Sequence, residues 1–414
     1  MSTLLEDFQT RGLIADASEG LAEHLAGGSR TLYVGFDPTA DSLHVGSLLP
    51  LLALRRAQLA GHRPIVLVGG GTGLIGDPSG KTGERALNPK DIVHEWAERL
   101  KRQVAPFVDF DSGPTSAVLA DNYEWISELD VVELLRDVGK HFSVSMMLAK
   151  ESVKTRLASG ISYTEFSYQV LQAYDFLCLS RRYACTVQMG GSDQWGNITA
   201  GIELIRRVDA RGAFGLTLPL ITKTDGSKFG KTESGTVWLD AARTSAYDMY
   251  QFWLNTADDD AVRFLKYFTF LPVTRIAELA EATRSSPERR EAQRVLAHEV
   301  TALVHGEAAT VEAERLSAAL FGGVAAEALP DGETLPGAVL PYEAATWPLW
   351  RVLVTAVSES AARISSSEAR RLIQQGGVEV DGVRAGSTDQ LVSPGGHIVK
   401  VGKRRIYRVI IEKS

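Results

Sequence analysis

Strand-like apolar runs at residues 31–36, 64–68, 116–119 and 186–189, separated by helix-length segments, constrain this chain more than any other feature. Such alternation builds a parallel sheet covered by helices. Ligands of such sheets bind in the crevice beyond the carboxyl ends of the strands. His44-Val45-Gly46-Ser47 lies at such a place, between the first run and a helix-like run over 48–59. A His and a Gly there can approach a phosphate, because free backbone N–H groups and the helix dipole favour anions. Far downstream, Lys228-Phe229-Gly230-Lys231-Thr232 sets two lysines three residues apart in a glycine-containing loop. A loop of that kind could fold over a triphosphate and neutralise charge that grows as pyrophosphate departs.

Composition narrows the class. The 414 residues exceed one ordinary core and suggest two or three domains. Hydrophobic content of 44% and charged content of 23% are those of a soluble globular protein, and no apolar run is long enough for a bilayer. The first eleven residues hold Glu6 and Asp7 and lack an apolar signal core, so a cytoplasmic location without membrane partners is expected. Cys178 and Cys185 show no metal-ligand spacing and read as packing residues. Net charge is −7, yet residues 348–414 hold 11 basic against 6 acidic side chains, a net +5 that leaves −12 elsewhere. A basic module on an acidic body suits a polyanion reader, although charge alone equally allows a solvated basic surface.

The fold class expected is α/β, with a Rossmann-like parallel sheet, then a helical domain, then a small α+β domain. The boundaries read as 1–220 for the sheet domain and 221–321 for the signature loop and helices. A Gly/Ala/Pro-rich linker over 322–347 and the basic module over 348–414 complete the chain. Gly71-Thr72-Gly73-Leu74-Ile75-Gly76 fits a dinucleotide fingerprint. Its context fails, because Asp77-Pro78-Ser79-Gly80 continues as turn where a helix should begin, and the strand before it is the second of the domain. Gly80-Lys81-Thr82 misses a P-loop, since Ile75 stands where the first glycine is needed. Ser162 and Glu165 fit a capping box, so a helix starts here and carries Tyr168, Gln172 and Asp175 on one stripe. From spacing alone that stripe lines a pocket or faces water. Asn197 reads as a helix cap.

The two short motifs resemble the signature motifs of class I aminoacyl-tRNA synthetases. The stretches from Tyr33 through Asp37 and Thr39 to His44, and from Gln188 through Asp193 and Gln194 to Asn197, are similar to the bacterial tyrosyl-tRNA synthetase family. The likeness runs over nearly the whole chain. It implies activation of L-tyrosine with ATP to tyrosyl-adenylate and diphosphate, then transfer to the terminal adenosine of tRNA-Tyr. Magnesium would accompany ATP, no cofactor would be tightly bound, and the enzyme would be a homodimer.

The resemblance also implies roles. Tyr168, Gln172 and Asp77 would hold the substrate ammonium, Asp175 and Tyr33 its phenolic hydroxyl. Gln194 and Asp37 would complete the polar shell around the reacting carboxylate. His44, Thr39, Lys228, Lys231 and Thr232 would act at the phosphates in the transition state, with Lys81 and Arg85 near pyrophosphate. Gly35, Gly46, Ser47, Gly191 and Asp193 would complete the ATP site, Asp193 at the ribose. Ser47 stands where a second His is common; it can still donate a hydrogen bond but carries no imidazole. The basic module resembles a small RNA-binding fold shared with a ribosomal small-subunit protein, with Arg370, Arg371, Lys403 and Arg404 as phosphate contacts. Three rivals are disfavoured. Tyr33 and Asp175 would lack a partner hydroxyl on tryptophan, a non-catalytic RNA-binding paralogue would not need His44, Lys231 and Asp77, and the fingerprint of an NAD-dependent dehydrogenase is out of context.

Overall fold

The computed structural model describes residues 3–79, 87–157, 160–222, 224, 229–232, 235–321, 337–341, 347–358, 364–402 and 405–412. The chain divides into two compact units, Met1–Thr222 and Lys223–Ser414.

Among the described residues, the first unit holds one six-stranded sheet. Its strands are β1 (Asp16–Ala17), β2 (Thr31–Phe36), β3 (Arg63–Val68), β4 (Val118–Asp121), β5 (Cys185–Gly191) and β6 (Phe214–Leu218). They lie in the order β1-β6-β5-β2-β3-β4, all parallel except β1, which is antiparallel to β6. The chain moves outward from β2 through β3 to β4, then returns to place β5 on the other side of β2. The β2/β5 border is therefore the topological switch, where the crevice of such a sheet opens. Leu32, Val34, Ile65, Val66 and Val68 are buried, as expected of strands covered on both faces. The sequence reading places β4 two residues early. In the structure it ends at Asp121, which brings Asn122 to the sheet's carboxyl edge.

Three helices position the site. Val45–Leu59 follows His44 and buries Leu48, Leu49, Leu51, Leu52 and Leu54. Tyr163–Tyr183 packs across Trp195–Asp209. The crossing is tight at Gly201, where a Cβ would lie 2.9 Å from Phe176 Cδ1. Cys178 and Cys185 are both buried.

In the second unit five helices follow one another: Ala246–Leu254, Asp258–Phe268, Val273–Ser285, Glu291–His305 and Glu307–Phe321. The basic module has helices Leu349–Ser358 and Ser366–Gln374 and a five-stranded sheet. One edge of that sheet, Gly337–Leu340, runs parallel to Arg405–Ile411 and lies inside the stretch read as linker. Pro336 and Pro341 flank a short alternation in which Ala338 and Leu340 are buried and Val339 is 60% exposed. Two proline signals outweighed four strand residues in the sequence. Trp347–Pro348, also at the edge of that stretch, pairs with Leu391–Val392. Residues 322–336 lie outside the described residues.

Candidate active site

The helix Tyr163–Tyr183 begins with Ser162, whose hydroxyl accepts from Glu165 N at 3.2 Å. Only this half of the expected capping box forms. The Glu165 carboxylate instead meets Arg156 at 2.8 Å, both side chains nearly fully buried. From this fixed start the stripe Tyr168, Gln172 and Asp175 turns inward rather than to water. Tyr168 is 6% and Asp175 2% exposed.

Asp175 is held by two neutral donors. Asn122 donates to Oδ2 at 2.9 Å and Trp125 donates its indole N–H to Oδ1 at 2.7 Å. Burial pushes the carboxyl up to about 8, against the opposing effect of those two bonds. Tyr33, on β2, is 1% exposed, and its hydroxyl has no hydrogen-bond partner among the described residues. Burial, then the nearby charge of Asp175, raises this phenol well above its ordinary value. A buried hydroxyl left unsatisfied costs about 1–3 kcal/mol, so the arrangement calls for a polar ligand atom at that point.

The Asn122 side chain also organises the turn after β3. Its oxygen accepts from Gly71 N at 2.7 Å and its nitrogen donates to Thr72 Oγ1 at 2.8 Å. Thr72 donates in turn to Asp37 Oδ1 at 2.7 Å, and Tyr168 donates to Asp37 Oδ2 at 2.7 Å. A continuous chain of hydrogen bonds thus runs from Asp175 to Tyr168 through Asn122, Thr72 and Asp37. Gly69 is needed within it, since a Cβ there would lie 2.0 Å from Asp37 Oδ1. Gly71 packs against Ile126 and Gly73 against Pro38. These glycines serve close packing, and a single 3-10 turn, Thr72–Leu74, follows β3 where a dinucleotide site would start a helix.

A second polar group lies beside the first helix. Gln194 donates to Asp77 Oδ2 at 2.6 Å and accepts from Gln172 at 3.2 Å. Asn197 donates to Gln172 Oε1 at 2.9 Å and to Gln194 Oε1 at 3.2 Å. Asn197 is thus no cap: it sits inside the helix Trp195–Asp209, buried, and fixes the orientation of both amides. Burial, then Asp77, raises the carboxyl of Asp193 above its ordinary value.

His44 is the N-cap of Val45–Leu59, and its Nδ1 accepts from Gly46 N at 2.9 Å. Ser47 N donates to His44 O at 2.8 Å and Thr39 N to Asp37 O at 2.9 Å. Gly35 is exposed, and a Cβ there would meet no atom within 4 Å. At Gly191 a Cβ would lie 2.6 Å from Asp193 Oδ1. The structure therefore brings Asp37, Asp77, Tyr168, Gln172, Asp175 and Gln194 into adjoining polar networks at the carboxyl edge, with the Tyr33 hydroxyl near Asp175 but outside both. Lys81, Arg85 and Lys228 lie outside the described residues, as do Lys403 and Arg404. Lys231 and Thr232 form one strand of a hairpin with Gly235–Thr236. In the basic module, Arg370 stacks over the Trp350 ring at 4.4 Å and reaches Asp389 at 3.4 Å, while Arg371 is exposed. Among the described residues no group of three or more His, Cys, Asp or Glu side chains could hold a metal ion.

Sequence reasoning missed Asn122, Trp125 and Thr72. The available signal was their place, just past strands of a parallel sheet, where side chains face the crevice.

A parallel α/β sheet with its polar networks at the switch point is the frame of a family of ligases. Residues 26–322 match the model of tRNA synthetases class I (W and Y), and the chain belongs to that family. Residues 353–398 match the S4 domain. Among its relatives, the chain is similar to the tyrosine–tRNA ligase of Bacillus velezensis, 53% identical over 93% of this chain and 92% of that one. It is likewise similar to the tyrosine–tRNA ligase of Desulfitobacterium hafniense, 51% identical over 98% and 99%. A solved structure, the C-terminally truncated mitochondrial tyrosyl-tRNA synthetase of Aspergillus nidulans, is 30% identical with a TM-score of 0.70. It covers 78% of this chain and 95% of its own.

Proposed function

We infer that this chain activates L-tyrosine with ATP and transfers the tyrosyl group to tRNA-Tyr. The observation that carries the amino acid's identity is the buried Tyr33 hydroxyl without a partner beside the doubly held Asp175. A phenol hydroxyl can accept from Tyr33 and donate to Asp175 at once. Phenylalanine would leave both desolvated groups unpaired.

In the first step the tyrosine carboxylate attacks the α-phosphate of ATP, and pyrophosphate leaves. Both reactants are already reactive, so the protein supplies positioning and charge. Asp77, Tyr168 and Gln172 hold the ammonium of the substrate, with Gln194 and Asp37 completing the shell around its carboxylate. Asp193 takes the ribose, and Gly35, Gly46 and Gly191 give the nucleotide close backbone approach. His44 and Thr39 face the phosphates, with Ser47 a minor contributor. Lys228, Lys231 and Thr232 stabilise the departing pyrophosphate, as do Lys81 and Arg85. Magnesium enters with ATP as part of that substrate. In the second step a terminal ribose hydroxyl of the tRNA attacks the adenylate carbonyl, and AMP leaves.

The division proposed is a sheet domain (1–220), a loop and helical domain (221–321) and a basic module (348–414) whose sheet also takes in Gly337–Leu340 from the stretch read as linker. Arg370, Arg371, Lys403 and Arg404 contact tRNA from the last of these. A homodimer is proposed as well. Val131, Val132, Val144, Met146 and Tyr163 are 56–73% exposed along one stretch of the first unit, an apolar run that a second copy would cover. No helix of the described residues is long and apolar enough to cross a membrane, and the site of action proposed is the cytoplasm.

Amino-acid-dependent ATP–pyrophosphate exchange, run with tyrosine, phenylalanine and tryptophan, tests the assignment. Exchange with tyrosine alone is expected. Exchange with tryptophan, or none at all, overturns it.

A further inference from the structure

The signature loop is fastened at two points to a single helix, Asp258–Phe268, of the second unit. On its upstream side, Thr224 donates its hydroxyl to Asp260 Oδ1 at 2.7 Å and its N–H to Oδ2 at 3.2 Å. Asp260 is 3% exposed and also accepts from Arg263, so its carboxylate is fixed. On the downstream side, Phe229 enters an aromatic cluster. Its ring stacks on Phe268 at 5.5 Å and 10° and lies edge-on to Phe264 at 5.1 Å. Trp253, from Ala246–Leu254, closes the cluster at 5.7 Å. Gly230 then turns the chain out of the cluster in a left-handed conformation, φ +76°, and accepts from Val237 N at 3.0 Å. The hairpin carrying Lys231 therefore starts from an anchored point.

We propose that Thr224, Asp260, Phe229 and Phe268 are positioning residues for the loop lysines, and that this helix is the platform from which they act. The proposal rests on the function inferred above. Lysines must be held before they can stabilise a transient charge, because ordering them during the reaction would subtract from the stabilisation. The sequence shows Phe229 only as a member of the loop that carries the two lysines. Its ring contacts show what an aromatic side chain supplies there, a large rigid surface with few torsions to order. Two fastenings on one rigid element also fix the spacing between the loop's ends, which one alone would not.

The test uses the full-length protein with Thr224→Val, Thr224→Ser, Phe229→Leu and Phe268→Leu. Tyrosyl-adenylate formation is followed under single-turnover conditions, beside equilibrium tyrosine binding and thermal unfolding. Loss of a hydrogen bond to a carboxylate, or of an aromatic pair, is expected to slow adenylate formation by about tenfold. Tyrosine affinity stays unchanged, the unfolding midpoint falls as expected for a lost contact to Phe268 (0% exposed) or Asp260 (3% exposed), and Thr224→Ser restores the rate. Limited trypsin digestion at Lys228 and Lys231 gives a second readout that needs no catalysis, and the Val and Leu variants are cut faster than the parent. A parent that makes no adenylate overturns the function inferred above, while digestion still judges the anchoring. Variants that keep both the parent rate and the parent cleavage pattern overturn the anchoring, as does a rate loss matched by lost tyrosine affinity.

Discussion

Trp125 donates its indole N–H to Asp175 at 2.7 Å, so that a carboxylate 2% exposed is held by a neutral side chain from another helix. Both described donors to Asp175 are neutral, and burial dominates its titration, moving it up to about 8. The ordinary value is 3.8, so the folded protein binds this proton more tightly than the unfolded chain does. The group's contribution to stability is full below pH 3.8 and is lost as pH rises through about 8. Urea unfolding at pH 5 and pH 8 should show the parent losing stability relative to Asp175→Asn. Tyrosine affinity of the parent should rise over the same range, because the ionised carboxylate accepts the phenol more strongly. Parallel stability profiles for the two proteins would refute the assignment.

Asn122→Ala removes one of the two donors and the link to Thr72. A buried carboxylate short of a partner costs about 1–3 kcal/mol, and the tyrosine KM in pyrophosphate exchange should rise about ten- to hundredfold. An unchanged KM would mean that Trp125 alone suffices.

Gly35→Ala separates folding from binding. The added methyl meets nothing in the protein, so thermal stability should hold or rise slightly. If the nucleotide lies over this strand, the methyl crowds it, at a cost of about 1–3 kcal/mol, and the ATP KM rises about tenfold with the tyrosine KM unaffected. Equal ATP KM values would remove Gly35 from the site.

The Arg156–Glu165 pair is 2.8 Å long, with both side chains no more than 3% exposed. Arg156→Met strands a buried carboxylate at the start of the helix that carries Tyr168. It should destabilise by about 3–5 kcal/mol in denaturant titrations. Adding Glu165→Leu should recover most of that loss, since it removes the stranded carboxylate. A double variant no more stable than the single one would show the carboxylate to be harmless there.

For the basic module, Arg371→Ala should weaken tRNA binding and lower the slope of log affinity against log salt by about 1. Arg370→Ala should do this and also loosen Trp350, over whose ring the guanidinium lies. Binding that is indifferent to Arg371 over a salt series would count against this face as the one that meets tRNA.

The chain's legibility followed the physics of each signal. The sheet strands 31–36, 64–68 and 186–189 were readable because a buried parallel strand must be apolar throughout. Helix periodicity put Tyr168, Gln172 and Asp175 on one stripe, and in the structure that stripe turns inward, with Tyr168 and Asp175 buried. Asn122 and Thr72 were not readable, since a polar residue after a strand is ordinary until its partners across the sheet are known. Glu165 misled for a related reason. Its spacing from Ser162 suits a local cap, but a buried arginine nine residues back competes for the carboxylate, and spacing carries no information about burial. Gly337–Leu340 was hidden because its hydrogen-bond partner, Arg405–Ile411, lies at the far end of the chain.

The close fit of His44 and Gly46 limits the order in which this sequence can change. A Cβ at position 46 would lie 2.6 Å from Cε1 and 2.8 Å from Nδ1 of the imidazole. The ring would have to swing away and give up its bond to the backbone of that same residue. A lineage that replaced His44 first would remove the clash at position 46, whereas the reverse order passes through a misplaced imidazole. The two positions form a one-way path, on which the glycine can be relaxed only after the histidine has gone.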